Sequence, residues 1–140
     1  MLEKDLISIS ETVEQLLQSH REALLNQEEL STLTMRQLFY LKQIGRLNAP
    51  SLSELAHLFK ITKPSVTSLV NRLTHMGYLE KKQSSDDLRV FTVKLTPRAE
   101  RLTRIDDEAL MEFGSHIRSV LNEKELEEME FLLAKLVTAL

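Results

Sequence analysis

Asp87 and Arg89 are the residues in this chain whose types and spacing are best suited to chemistry. They lie two positions apart in a polar run from Gln83 to Arg89. A carboxylate so close to a guanidinium can hold it in a charge-assisted fork. The plainer reading is an ordinary surface ion pair worth under about 1 kcal/mol. The four histidines, His20, His57, His75 and His116, show neither H-x-x-x-H nor H-E-x-x-H spacing, so the metal signal is weak. With no cysteine there is no disulfide, thiol nucleophile, Cys-based redox sensor or Cys zinc finger. No Ser-His-Asp order, glycine-rich phosphate loop or paired buried carboxylate stands out. The expectation is a protein that is not an enzyme and holds neither cofactor nor metal.

The elements around Asp87 and Arg89 give the pair a setting. Ser51-Leu52-Ser53-Glu54 reads as a capping box that starts a short helix with Leu52, Leu55, Ala56 and Leu58 inside. A turn through Lys60-Ile61 leads to Thr62, a second N-cap. The helix that follows runs to about Met76, with Val66, Leu69, Val70 and Leu73 inside and Pro64 in its first turn. Gly77 is placed as its C-terminal stop. Tyr78 to Lys82 and Val90 to Leu95 read as two strands, the second alternating Phe91, Val93 and Leu95 with polar residues. Helix, turn, helix and tight hairpin in this order predict a winged helix-turn-helix, which sets one helix in a DNA major groove with a loop beside it.

The flanks are helical. Leu2, Leu6, Ile9, Val13, Leu16 and Leu17 recur at three- and four-residue steps, predicting one amphipathic helix over about residues 2–25. Asn26 to Leu33 reads as a polar connection. Thr34-Met35-Arg36-Gln37 caps a helix with Leu38, Leu41 and Ile44 inside, ending near Gly45. Thr96-Pro97 opens another helix that reaches at least about His116. Asn122-Glu123-Lys124-Glu125 caps the last, with an apolar stripe of Leu126, Met129, Leu132, Leu133, Leu136, Val137 and Leu140. These end helices either fold over their own core or interlock with a second copy, and a two-fold DNA reader favours the dimer.

Charge is uneven along the chain. The net charge is -3, yet Lys60 to Arg104 holds 10 Lys/Arg against 4 Asp/Glu, a balance of +6, and the rest holds 8 against 17, a balance of -9. A basic working face on an acidic body suits nucleic acid. No run approaches the roughly 18 apolar residues of a membrane span. Glu3, Asp5 and Glu11 break any signal-peptide pattern at the start, so a cytoplasmic protein is expected.

Pro64-Ser65-Val66-Thr67-Ser68-Leu69-Val70-Asn71-Arg72-Leu73, then Met76-Gly77-Tyr78-Leu79, resembles the recognition helix and first wing strand of MarR/SlyA-type regulators. Asp87-Leu88-Arg89, five residues, then Leu95-Thr96 resembles the family's wing. Ala99 stands where the family commonly has Gly, a change that favours the helix. The resemblance spans essentially the whole chain. It implies that the helix from Thr62 to Met76 enters the major groove and presents Lys63, Ser65, Thr67, Ser68, Asn71 and Arg72. Ser and Thr there discriminate bases weakly. Arg72 would bond a phosphate or form a salt bridge within the domain. Arg89, held by Asp87, would enter a minor groove, and Lys81, Lys82 and Lys94 would touch phosphates or simply solvate the hairpin.

The resemblance further implies a small aromatic or phenolic effector, with His20, Leu24, Phe39, Tyr40 and His57 as candidate lining residues. The plainer reading of these five is core or boundary side chains. Some relatives sense zinc through His and Glu near these helices. Glu112 and His116 stand four apart on one helix and are read here as surface or structural residues. The expected fold is mainly α with a small β-hairpin wing, the winged helix-turn-helix being joined to a helical dimerisation region from both termini. Residues 1–33 would be an N-terminal dimerisation helix, 34–96 the DNA-binding domain and 97–140 C-terminal dimerisation helices. The expected partners are double-stranded DNA and a second copy, with no membrane. The expected function is a homodimeric regulator, most simply a repressor of a pseudo-palindromic operator, with release by a small ligand. The alternative is a winged-helix protein-interaction subunit without sequence-specific DNA binding.

Overall fold

Side-chain caps set most of the helix boundaries. The computed structural model describes residues 1–140, the side chain of Leu30 excepted. Its elements are α1 (Leu2–Leu24), α2 (Gln27–Thr32), α3 (Met35–Gly45), α4 (Leu52–Phe59), α5 (Lys63–His75), β1 (Leu79–Gln83), β2 (Phe91–Leu95), α6 (Pro97–Val120) and α7 (Glu123–Ala139). Reciprocal capping boxes pair Thr34 with Gln37, Ser51 with Glu54 and Asn122 with Glu125. Each satisfies helix N–H groups that have no partner within the helix. The mainly helical class with a two-strand wing stands as expected.

One element differs from expectation. Asn26 to Leu33 contains the short helix α2, with its own capping box between Asn26 and Glu29. Six residues without an apolar stripe carry no periodic signal, and the N-x-x-E pattern alone marks the start. Leu58 also differs, since it is 49% exposed rather than inside. Helix α4 is so short that only Leu52 and Leu55 are fully buried, with Ala56 and Phe59 packed against the core beside them.

The chain divides into two compact units, residues 21–106 and residues 1–20 with 107–140. In the first, Leu41, Ile44, Leu55, Val66, Val70, Leu73, Tyr78, Leu79, Val93 and Ile105 are each 2% exposed or less. The hairpin is antiparallel, running from Leu79 opposite Leu95 to Gln83 opposite Phe91. Its second strand is tied to the residues before α4, because the Val93 N–H donates to the Pro50 carbonyl at 3.0 Å. Gly77 turns the chain from α5 into β1 at φ +82°. There the Tyr78 N–H donates to the Leu73 carbonyl at 2.9 Å, a Schellman closure that needs a left-handed residue.

Two buried carboxylates brace this unit. Asp106, 1% exposed, accepts from Arg21 Nε at 2.8 Å and Nη2 at 2.6 Å, and also from the Lys42 ammonium. Burial pushes its carboxyl up, but the hydrogen bonds and charges of Arg21 and Lys42 together hold it below the usual carboxylate range. Glu29, 4% exposed, accepts from Arg98 Nε at 3.1 Å and Arg101 Nη2 at 3.4 Å. Burial opposes its ionisation too, and the Asn26 N–H with the two arginines outweighs it.

In the other unit, the apolar stripe of α7 lies open in the single chain. Leu132 is 51% exposed, Leu136 62% and Val137 69%. Leu2 and Leu6 of α1 are likewise more than half exposed. Among the described residues, no helix is long and apolar enough to cross a membrane.

Candidate nucleic-acid interface

Helix α5 starts at Thr62, whose Oγ1 accepts from the Ser65 N–H at 3.3 Å, and Pro64 sits in the first turn. Its inner face buries Val66, Val70 and Leu73. That leaves Lys63, Ser65, Ser68, Asn71 and Arg72 exposed and Thr67 half-buried. Arg72 makes no salt bridge among the described residues. Local bonds set the polarity of this face. Thr67 Oγ1 donates to the Lys63 carbonyl at 3.0 Å, and the Thr62 hydroxyl donates to Ser65 Oγ at 2.8 Å.

The wing tip is an ordered turn. The Ser84 N–H donates to the Val90 carbonyl, the Val90 N–H to the Asp87 carbonyl, and Gln83 Nε2 to the Leu88 carbonyl at 2.7 Å. Asp87 accepts three bonds from Arg89, from its N–H at 3.0 Å, Nε at 3.2 Å and Nη2 at 3.2 Å. Those bonds hold the Asp87 carboxyl below its ordinary range. The Arg89 side chain is 91% exposed. Two of its five guanidinium donors are spent on Asp87, which leaves three for another acceptor.

These pieces meet in one groove of about 600 Å³. Ser51 and Ser53 from the start of α4, Lys63 and Thr67 from α5, and Lys81, Asp87 and Arg89 from the wing line it. Three cations stand against one carboxylate already engaged by Arg89, so the groove favours an anion. Ser51 and Ser53 were absent from the sequence-derived set. Their signal was the capping box itself, because a helix N-terminus carries free N–H groups and a positive dipole end. Lys81 stands over the Phe91 ring at 4.5 Å and donates to Asn71 Oδ1 at 3.3 Å. Lys94 pairs with Glu80 at 3.3 Å.

Phe39 and Tyr40 line an open groove of about 570 Å³ with Met35, Arg36, Gln43, Leu58 and Phe59. The Tyr40 and Phe59 ring centroids are 4.6 Å apart. Leu24 and His57 are exposed and outside that groove. Both ring nitrogens of His20 face oxygens, Nδ1 the Leu16 carbonyl at 3.1 Å and Nε2 the Glu112 carboxylate at 3.0 Å. Glu112 and His116 lie on the wall of a separate cleft. Among the described residues no group of three or more His, Cys, Asp or Glu could hold a metal ion.

Known proteins share this fold. The MarR family model matches residues 33–91. The HTH-type transcriptional regulator BilQ of Clostridioides difficile is 28% identical over 91 residues, covering 65% of this chain and 62% of BilQ. FabT of Streptococcus pneumoniae, solved in complex with DNA, superposes at a TM-score of 0.72 with 21% identity, covering 98% of this chain and 93% of FabT. MepR of S. aureus, solved bound to ethidium bromide, superposes at 0.73 with 20% identity, covering 99% of this chain and 96% of MepR. The matched stretch begins just before α3 and ends at the first residue of β2, so it takes in both helices of the helix-turn-helix and the wing tip. Over residues 33–91 the chain is therefore similar to the MarR family, and as a whole it has the fold of FabT and MepR.

Proposed function

We propose that the protein is a homodimeric transcriptional regulator that binds a pseudo-palindromic DNA operator, acting as a repressor. The observation that carries this reading is the groove shared by α4, α5 and the wing, lined by Lys63, Lys81 and Arg89 with hydroxyls between them. Phosphate contacts supply most of the affinity, and α5 reads base edges. The wing arginine reads the potential of a narrow minor groove. Dimerisation is supported by the uncovered apolar faces of α1 and α7, which a second copy would cover. FabT has been solved on DNA with this fold, which supports the same use of it here.

A small aromatic effector is the natural release signal on this reading. Phe39, Tyr40 and Phe59 offer stacking faces in an open groove that Arg36 also lines. Such a ligand acts only by binding one spacing of the recognition helices better than another.

Selection of the purified protein against random duplex DNA tests the proposal, followed by fluorescence anisotropy over a salt series. The expected result is a two-fold site with half-sites about 34 Å apart, bound more weakly as salt rises. Absence of an enriched site would favour a protein-interaction role for the winged helix.

A further inference from the structure

Asn71 is the only amide on the exposed face of α5. An asparagine in a major groove ordinarily reads adenine, accepting from N6 and donating to N7 at once. The surroundings of Asn71 work against that use. Lys81 Nζ lies 3.3 Å from Asn71 Oδ1. An ammonium has donors only, so the atom of the amide that faces it is the oxygen, and the amide N–H groups face away. The lysine is itself held in place. Its ammonium stands 4.5 Å from the Phe91 ring centroid. In the hairpin register Lys81 pairs with Val93 and Gln83 with Phe91, which makes Lys81 and Phe91 diagonal neighbours.

We propose that Lys81 and Asn71 act as one donor-only unit that selects guanine in the operator half-site. The inference rests on the DNA-binding reading above. Two N–H donors remain on the Asn71 amide, and two of the three on the Lys81 ammonium are not spent on Asn71. Guanine offers two acceptors, N7 and O6, on its major-groove edge. Adenine offers N7 but sets its N6 amino group, a donor, against an ammonium. The positive charge therefore selects the edge that is all acceptor. Through β1 the wing thus sets how a side chain of the recognition helix reads a base.

Three proteins compared in the same selection from random duplex DNA test this: wild type, Asn71→Ala and Lys81→Met. Methionine keeps an apolar stem over Phe91 and removes the charge. Asn71 is exposed and Lys81 half-buried, and neither belongs to the core cluster. Wild type is expected to enrich a site with one guanine per half-site favoured about tenfold over adenine. Asn71→Ala should lose that preference at that base pair alone, and Lys81→Met should move it from guanine toward adenine. A general weakening by Lys81→Met with an unchanged base preference would make Lys81 a phosphate contact and overturn the inference. So would an Asn71→Ala protein that selects the wild-type site. Enrichment of no site by wild type would overturn the DNA-binding reading and this inference with it.

Discussion

Arg89 and Asp106 show two opposite uses of a charged pair. The Arg89–Asp87 pair is exposed, so it contributes little to stability and orients a guanidinium instead. Arg89→Ala is expected to weaken operator binding by about tenfold to a hundredfold while the thermal unfolding midpoint stays where it was. Anisotropy and calorimetry on the same preparation check both halves. Asp106 is buried under two cations. Asp106→Asn should cost about 3 kcal/mol at neutral pH, because Arg21 and Lys42 lose their shared partner. The folded-state pKa of Asp106 lies below its ordinary value, so the stability it confers is present above roughly pH 4 and is lost as pH falls through the folded value. Urea unfolding of wild type and variant should therefore converge as the solution is acidified below about pH 4. A gap unchanged by pH would show that Asp106 packs rather than pairs. Asp87 and Arg89 were legible in the sequence because they stand two residues apart. Asp106 was not, because its partners lie 85 and 64 residues away.

At the scale of elements, caps carry much of the local information. Thr62 stands at the start of the helix that faces the candidate groove. Thr62→Ala should lower stability by about 1 kcal/mol, read as a fall in the urea midpoint. A larger loss of operator affinity than of stability would show that fraying of the first turn displaces Lys63 and Ser65. The capped starts of α3, α4, α5 and α7 were all readable, because a cap and its partner lie three residues apart. Helix α2 was missed although Asn26 and Glu29 have that spacing, since six residues leave no room for an apolar stripe. The exposure of Leu58 was missed for a different reason. Periodicity names the face of a helix, and only the neighbouring elements decide how far along it the core extends.

For the whole molecule, a second copy is the proposed cover for the apolar faces of the unit made by residues 1–20 and 107–140. Exposed Leu132, Leu133, Leu136 and Val137 on one helix are costly to leave in water. Removal of residues 123–140 is expected to convert a dimer into a monomer, measured by sedimentation velocity. A truncated chain that still sediments as a dimer would move the interface elsewhere. A monomeric full-length protein would sink the dimer itself and, with it, the two-fold operator.

By itself the sequence determined what depends on neighbours within a few residues. It set the caps of α3, α4, α5 and α7, the inner faces of α3 and α5, the left-handed Gly77, the alternation of β2 and the Asp87–Arg89 fork. These are local because hydrogen bonds and side-chain periodicity act over three or four positions. The tertiary structure alone decided which distant groups meet. It brought Ser51, Lys63 and Lys81 to the groove beside Arg89, set Asp106 under Arg21 and Lys42, and turned the oxygen of Asn71 toward Lys81. Such contacts follow from the packing of one element on another, and no spacing along the chain encodes them.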